Sequence, residues 1–376
     1  MFDNPFIFGE KVGGKTFCNR KAEIKELLRD IEDGQNLIIF SPRRYGKTSL
    51  VQTILSLAEK RGVVCVYADL FSALTEADFA RLLARAVAES IRGPVEKILS
   101  WFKENLLKLR PKIVLEEDGS AGFTFAVENN MTAIPDIEDM LTAVYRYFVR
   151  AKKKGVIVFD EFQQIGQFPT DKLERKLRTI IQGHRNICYI FMGSKKHLLH
   201  DIFSNPTRPF YRSAKHFPLG KIGHADFSKF ISERFESSGK KIDHGIIEKI
   251  LSTSECHPYY TQMISHAVWE KVDEKGLVHF RDIMETVLAR ETSAFQNTWD
   301  MITTTQKQAL VAIANKKEKD KIFSSEYLSR FGLSSASAFQ KALKILYEKD
   351  FLSKENNNWE IQDVLFKLWI RAHSTV

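Results

Sequence analysis

Cysteine is scarce, and the few residues present do not cluster. Cys18, Cys65, Cys188 and Cys256 lie far apart and form no C-x-x-C pair, which excludes a cysteine-built zinc site and a disulfide framework. Cys65 and Cys188 sit inside apolar runs, where buried free thiols are expected. Long hydrophobic runs are missing too. None approaches the roughly 18 residues of a membrane span, and the opening MFDNPFIFGEKV lacks the basic segment and apolar core of a signal peptide. The expectation is a cytoplasmic protein without a membrane partner. Internal repeats and low-complexity tracts are also absent, and the lysine-rich stretch Lys316–Lys321 reads as a solvated loop.

What is there is ample core-forming material. Of 376 residues, 44% are hydrophobic and 27% charged, the balance of a globular protein of two or three domains. The net charge of +9 is compatible with a nucleic acid or an anionic small ligand, and equally with a solvated basic surface.

Through the first 220 residues, short β-type runs alternate with helical patterns: Leu37–Phe40, Val63–Tyr67, Val156–Phe159, Ile187–Met192 and His216–Leu219. Four of these five are almost continuously apolar, as strands covered on both faces must be. Helical stretches between them predict an α/β fold, a parallel sheet built from βαβ units. Residues 71–150 interrupt the rhythm as an insertion. It holds helical segments at Ala77–Ser90, Val95–Lys108 and Ile137–Lys152, and two alternating runs, Lys112–Glu116 and Gly122–Val127, joined by an Asp118-Gly119 turn.

From residue 221 to 298 the pattern is helical. From 299 to 376 it becomes helix (Thr305–Ala314), helix (Ser324–Phe331), helix (Ser337–Lys349) and a hairpin (Phe351–Lys354, Trp359–Gln362) turning at Asn356-Asn357-Asn358. That is the order of a winged helix-turn-helix domain. The expected organisation is therefore a core over 1–220, a small helical domain over 221–298 and a winged helix over 299–376.

Chemistry concentrates first at Ser41-Pro42-Arg43-Arg44-Tyr45-Gly46-Lys47-Thr48-Ser49, directly after the strand Leu37–Phe40 and before a helix with Leu50, Val51, Ile54, Leu55 and Leu57 on its apolar face. Strand, tight loop and helix N-terminus aim backbone N–H groups and the helix dipole at phosphate oxygens. Gly46 permits close backbone approach. Lys47 would reach the β- and γ-phosphates of ATP, and the Thr48 hydroxyl would ligate Mg²⁺. Compared with G-x-x-x-x-G-K-S/T, the first glycine is Ser41. A second site follows at Gly155-Val156-Ile157-Val158-Phe159-Asp160-Glu161, where a buried strand ends in two carboxylates at the edge where α/β sheets bind ligands. Asp160 would hold Mg²⁺, directly or through water. Glu161 would act as general base on the attacking water, a group that nucleotide binding alone does not need.

These residues resemble the AAA+ superfamily of P-loop ATPases, and more closely the prokaryotic ATPases related to the STAND signalling class and to origin-recognition ATPases. Phe17-Cys18-Asn19-Arg20-Lys21-Ala22-Glu23 is similar to that group's N-terminal motif h-h-G-R-x-x-E (h, hydrophobic), with Asn19 in place of glycine. The resemblance implies that Arg20 and Glu23 either frame the nucleotide or cap a helix. Ser194, after the strand Ile187–Met192, matches the sensor 1 position, with Lys195 as the alternative. Pro209-Phe210-Tyr211-Arg212 is similar to the family's P-L-Y-G-R segment and makes Arg212 the arginine-finger candidate, with Arg208 as rival, acting in its own chain or on a neighbouring subunit. Cys256-His257-Pro258-Tyr259-Tyr260 resembles the G-H-P-Y-Y segment that opens a lid helix. By that likeness Pro258 starts the helix and His257 either contacts a phosphate or is packed.

The implied protein is an ATPase with helical lid and winged helix, a switch or remodelling machine. Its last helix pattern offers Ser335, Ser337, Gln340, Lys341 and Lys344 to a DNA major groove, although winged helices also dock proteins. Alternatives left open are a nucleotide-gated DNA-binding protein and a static ATP-holding scaffold; further partners are another protein or a second copy.

Overall fold

The computed structural model describes residues 4–9, 18, 20–91, 100–101, 110–115, 121–126, 137–355 and 358–374. The chain divides into two compact units. One, the sheet unit, comprises Arg20–Arg43 and Lys47–Gly220; the other, the helical unit, comprises Met1–Asn19, Arg44–Gly46 and Lys221–Val376.

The sheet unit runs α1 (Lys21–Glu32), β1 (Leu37–Phe40), α2 (Lys47–Lys60), β2 (Val64–Asp69), α3 (Glu76–Ser90), β3 (Arg110–Leu115), β4 (Ala121–Ala126), α4 (Ile137–Arg150), β5 (Gly155–Asp160), α5 (Lys172–Gly183), β6 (Ile187–Gly193), α6 (Lys196–Ser204) and β7 (Lys215–Pro218). Five strands form one parallel sheet in the order β2-β5-β6-β1-β7. Every residue of β5 and β6 is buried, which explains why these two strands read as unbroken apolar runs. The edge strand β7 is only partly buried and ends in Pro218, a residue tolerated where no ladder N–H is required.

The alternating runs of the insertion pair as the antiparallel hairpin β3–β4, Arg110 opposite Ala126 and Leu115 opposite Ala121. The Asp118-Gly119 turn and most of the Val95–Lys108 helix expected between α3 and β3 lie outside the described residues. α3 begins with a capping box in which the Thr75 hydroxyl accepts from Asp78 N and Asp78 accepts from Thr75 N, a device of about 1 kcal/mol.

Because the sheet is parallel, the C-terminal ends of β1, β5 and β6 share one edge. Register aligns them: Phe40 pairs with Gly193 and Phe159 with Phe191. The loop after β1, the acids after β5 and Ser194 after β6 are thereby neighbours.

The helical unit holds α7 (His224–Ser237), α8 (His244–Ser254), α9 (Pro258–Lys271) and α10 (Phe280–Asp300), then α11 (Thr304–Ala314), α12 (Ser325–Arg330), α13 (Ala336–Glu348), the hairpin β8 (Leu352–Glu355) and β9 (Asn358–Ile361), and α14 (Val364–His373). One hydrophobic cluster runs through all of it. Phe366 and Trp369 of α14 pack on Phe295 of α10, with ring centroids 5.3 and 6.1 Å apart. The aromatic C-terminus therefore builds core. The N-terminal segment belongs here too. Phe6 packs on Phe235 at 5.2 Å, and its carbonyl meets His266 Nδ1 at 2.8 Å. Among the described residues no helix is long and apolar enough to cross a membrane.

Candidate functional site

The loop after β1 turns on two left-handed residues, Arg44 (φ 65) and Gly46 (φ 82). No atom within 4 Å would meet a Cβ at Gly46, so glycine is favoured there by backbone conformation and not by space. Ser41 lies outside that region of φ, and an ordinary side chain is accommodated where the consensus loop has glycine. Pro42, Arg43 and Arg44 are half-buried to exposed, while Ser49 and Lys47 are buried on the first turn of α2.

Lys47 is the electrostatic centre. Burial pulls its ammonium below the ordinary lysine range and Arg43 adds to that, while Asp160 and Glu161 oppose it. Among the described residues the ammonium makes one hydrogen bond, 3.3 Å to the Ser41 carbonyl. A buried cation with spare donors at a helix N-terminus is built for a polyanion.

Asp160 sits at the end of β5, where burial raises its carboxyl above the usual range and nearby Glu161 adds to the effect. Its Oδ1 accepts the Glu161 N–H at 2.9 Å, and its Oδ2 accepts a hydrogen bond from the Tyr67 hydroxyl of β2. The same phenol is hydrogen-bonded to Thr48. The Thr48 hydroxyl and the Asp160 carboxylate are thus bonded to one phenol, and together they make an all-oxygen pair. Such a pair fits Mg²⁺, which is held by few protein oxygens and completed by water and phosphate; no cluster of three or more His, Cys, Asp or Glu offers a fuller cage among the described residues.

Glu161 is strained. Its backbone is left-handed at φ 52, ψ 37, a conformation costing about 1–3 kcal/mol for such a residue. What holds it there is the next residue. Phe162 is fully buried against Phe191, Phe203 and Phe210, with centroids 4.6–5.8 Å away, and burial of such a ring contributes about 1.5–3 kcal/mol. The Glu161 carboxylate accepts from Ser194 Oγ at 3.0 Å and from the Gln163 side-chain amide. Gln163 is itself buried, and its Oε1 has no partner among the described residues. A Cβ at Gly193 would come within 1.9 Å of that oxygen, so the glycine before Ser194 makes room for the amide.

The other candidate residues are placed as follows. Arg20 precedes α1, is buried, and bonds Glu23 Oε1 at 3.1 Å and the Gly220 carbonyl at 2.8 Å; Phe17 and Asn19 of its motif lie outside the described residues. Arg208 is committed to buried Glu174 at 2.9 Å and to Asp201 at 3.4 Å. Arg212 is exposed, left-handed at φ 52, and lies over Tyr211. Its guanidinium has no acidic partner among the described residues, in contrast to that of Arg208.

In the helical unit, His257 is buried at the N-cap of α9, with Pro258 at the first helical position. Its ring meets Tyr45 at 4.5 Å and Tyr260 at 4.7 Å. Burial lowers its pKa to about 3, so the imidazole is neutral. Arg44 lies over the Tyr259 ring at 4.4 Å. Cys256, where the family segment has glycine, is left-handed at φ 54. The position favours glycine, and cysteine there costs about 1–2 kcal/mol.

Two site residues were not singled out from the sequence, Tyr67 and Gln163. The available signals were a hydroxyl near the end of a strand and an amide two residues beyond the acid pair; neither has meaning until β2 and β5 are known to be adjacent.

The family described as "ATPase domain predominantly from Archaea" matches residues 17–264, and that described as "probable winged helix domain" matches residues 293–372. No protein with a curated description matches the sequence. Among solved structures, a Walker-type ATPase of Pyrococcus abyssi is similar at a TM-score of 0.68 and 16% identity, over 98% of this chain and 99% of that one. The ORC2 protein of Aeropyrum pernix, in ADPNP-ADP complexes, is similar at 0.54 and 14% identity, over 99% and 97%. At these identities the likeness is one of fold. The family match spans more than half of the chain, and the conclusion follows directly: this chain belongs to the ATPase family found predominantly in Archaea, an ATPase domain followed by a winged helix.

Proposed function

We propose that the chain is an ATP-driven switch in which hydrolysis at Lys47, Asp160 and Glu161 changes the position of the helical segment and winged helix. The observation that carries this reading is the strained, over-determined Glu161, held by Ser194 and Gln163. A protein that only held ATP would have no use for that second carboxylate.

In the proposed reaction, the α2 N-terminus and the Lys47 ammonium take the β- and γ-phosphates. Mg²⁺ held by Thr48 and Asp160 would neutralise charge on the phosphate oxygens. Glu161 accepts the proton of the attacking water as that water adds to the γ-phosphorus and the bond to the β,γ-bridging oxygen breaks, with ADP as leaving group. Ser194, already bonded to Glu161, turns its hydroxyl to the γ-phosphate or the water. Arg212 stabilises charge on the transferring group, from its own chain or into a neighbouring copy. The neutral His257 and Pro258 at the start of α9 serve as packing that follows the loop, and Arg20 fixes the start of α1.

A second reading, DNA binding that stimulates this ATPase, is favoured by the outward face of α13. Ser335, Ser337, Gln340, Lys341 and Lys344 are all exposed there, and lysines on such a helix can neutralise phosphates. Steady-state ATP hydrolysis, measured with and without duplex DNA, tests both. Magnesium-dependent turnover is expected from the chain alone, with several-fold stimulation by duplex if α13 reads DNA. Turnover unchanged by duplex would remove the second reading; no turnover under any condition would remove the first.

A further inference from the structure

The phenol of Tyr67 is bonded to both side chains that would hold the cation. It donates to Asp160 Oδ2 and is a hydrogen-bond partner of Thr48. Asp160 Oδ1 is already engaged by Glu161 N, so Tyr67 fixes the remaining freedom of the carboxylate, rotation about its own axis. The strand that carries it is locked in register: Tyr67 pairs with Val158 and Asp69 with Asp160. The phenol is half-buried and enters the site from β2, an element that contributes none of the proposed phosphate or metal contacts.

We infer that Tyr67 is a positioning residue that sets Asp160 and Thr48 at the spacing a divalent cation needs, so that it governs the magnesium-dependent part of nucleotide affinity. The inference rests on the reading of Thr48 and Asp160 as the metal-holding pair. Outer partners of this kind typically change metal affinity about 10–100-fold when removed. A phenol that instead occupied the cation's place would have the opposite effect, because its removal would tighten binding.

The test is equilibrium binding of a fluorescent ATP analogue to the full chain and to Tyr67→Phe, each in excess Mg²⁺ and in EDTA. The ring, its packing and the strand are kept in this variant, and thermal melting checks that it folds. Expected is a wild-type affinity that rises with Mg²⁺ and a variant in which that rise is cut about tenfold, while the affinity in EDTA stays within about twofold. Equal magnesium enhancement in both proteins, equal weakening with and without Mg²⁺, or tighter binding by the variant would each overturn the inference. A wild type that shows no magnesium enhancement would overturn the metal-site reading itself, a result distinguishable from the others because it appears before any substitution.

Discussion

Lys47→Ala is expected to lower ATP affinity about 100-fold, or about 2.8 kcal/mol, and to bring hydrolysis to background. The side chain is buried, and its ammonium makes one hydrogen bond among the described residues, to the Ser41 carbonyl. Its remaining donors have phosphate oxygens as their natural acceptors, and a hydrogen bond to a charged group is worth about 1.5–3 kcal/mol. One such bond near the upper end of that range accounts for the expected loss. The same substitution should cost the ligand-free protein little stability. Burial depresses the lysine's pKa, so the fold gains nothing from holding the charge. Isothermal titration with ATP and a thermal melt check the two halves together. Unchanged affinity would mean that nucleotide does not bind at this loop, and a collapse of the melting temperature would mean that Lys47 is structural.

Glu161→Gln separates binding from chemistry. The amide keeps the size of the carboxylate and one acceptor oxygen for Ser194 or Gln163, but it cannot take a proton from water. Loss of a general base lowers a rate by about 10²–10⁴-fold, and turnover should fall by that factor while ATP affinity stays within about threefold. Phosphate release at saturating ATP, beside a binding isotherm, reads both quantities. Turnover at the wild-type rate would remove Glu161 from the mechanism and make its left-handed backbone unexplained. Weakened binding with proportionally weakened turnover would assign Glu161 to holding the nucleotide.

Much of this was legible because the chemistry is contiguous in sequence. The loop Ser41–Ser49 carries its own strand, turn and helix start, and β5 delivers Asp160 at the end of six consecutive buried residues. The strand expected at Val63–Tyr67 is found at Val64–Asp69, and that expected at His216–Leu219 is found at Lys215–Pro218. Shifts of one or two residues are ordinary where a terminal ladder bond decides the boundary.

What the sequence hid depends on contacts between distant segments. Tyr67 and Asp160 are 93 residues apart, and no local pattern announces a hydroxyl that will reach across to the next strand. The sequence makes Arg212 the arginine-finger candidate and Arg208 its rival; what it hides is that Glu174, buried on α5, takes Arg208. The glycine-to-cysteine departure at Cys256 became interpretable through its backbone angle. Segments at 92–99, 102–109 and 127–136 fall outside the described residues, and with them part of the expected insertion.

The central claim is that nucleotide state moves the two units against each other, and a distance measurement tests it most directly. A donor and acceptor dye at Thr179→Cys on the sheet unit and Lys349→Cys on the helical unit, both exposed positions, would report energy transfer in the Glu161→Gln background, which holds ATP without consuming it. The account predicts clearly different transfer efficiencies with Mg²⁺-ATP and with Mg²⁺-ADP, and an ATP-dependent change that disappears when Lys47→Ala is added. Identical efficiencies in both nucleotide states, with binding of each verified, would contradict it and leave a hydrolase whose chemistry drives no such motion.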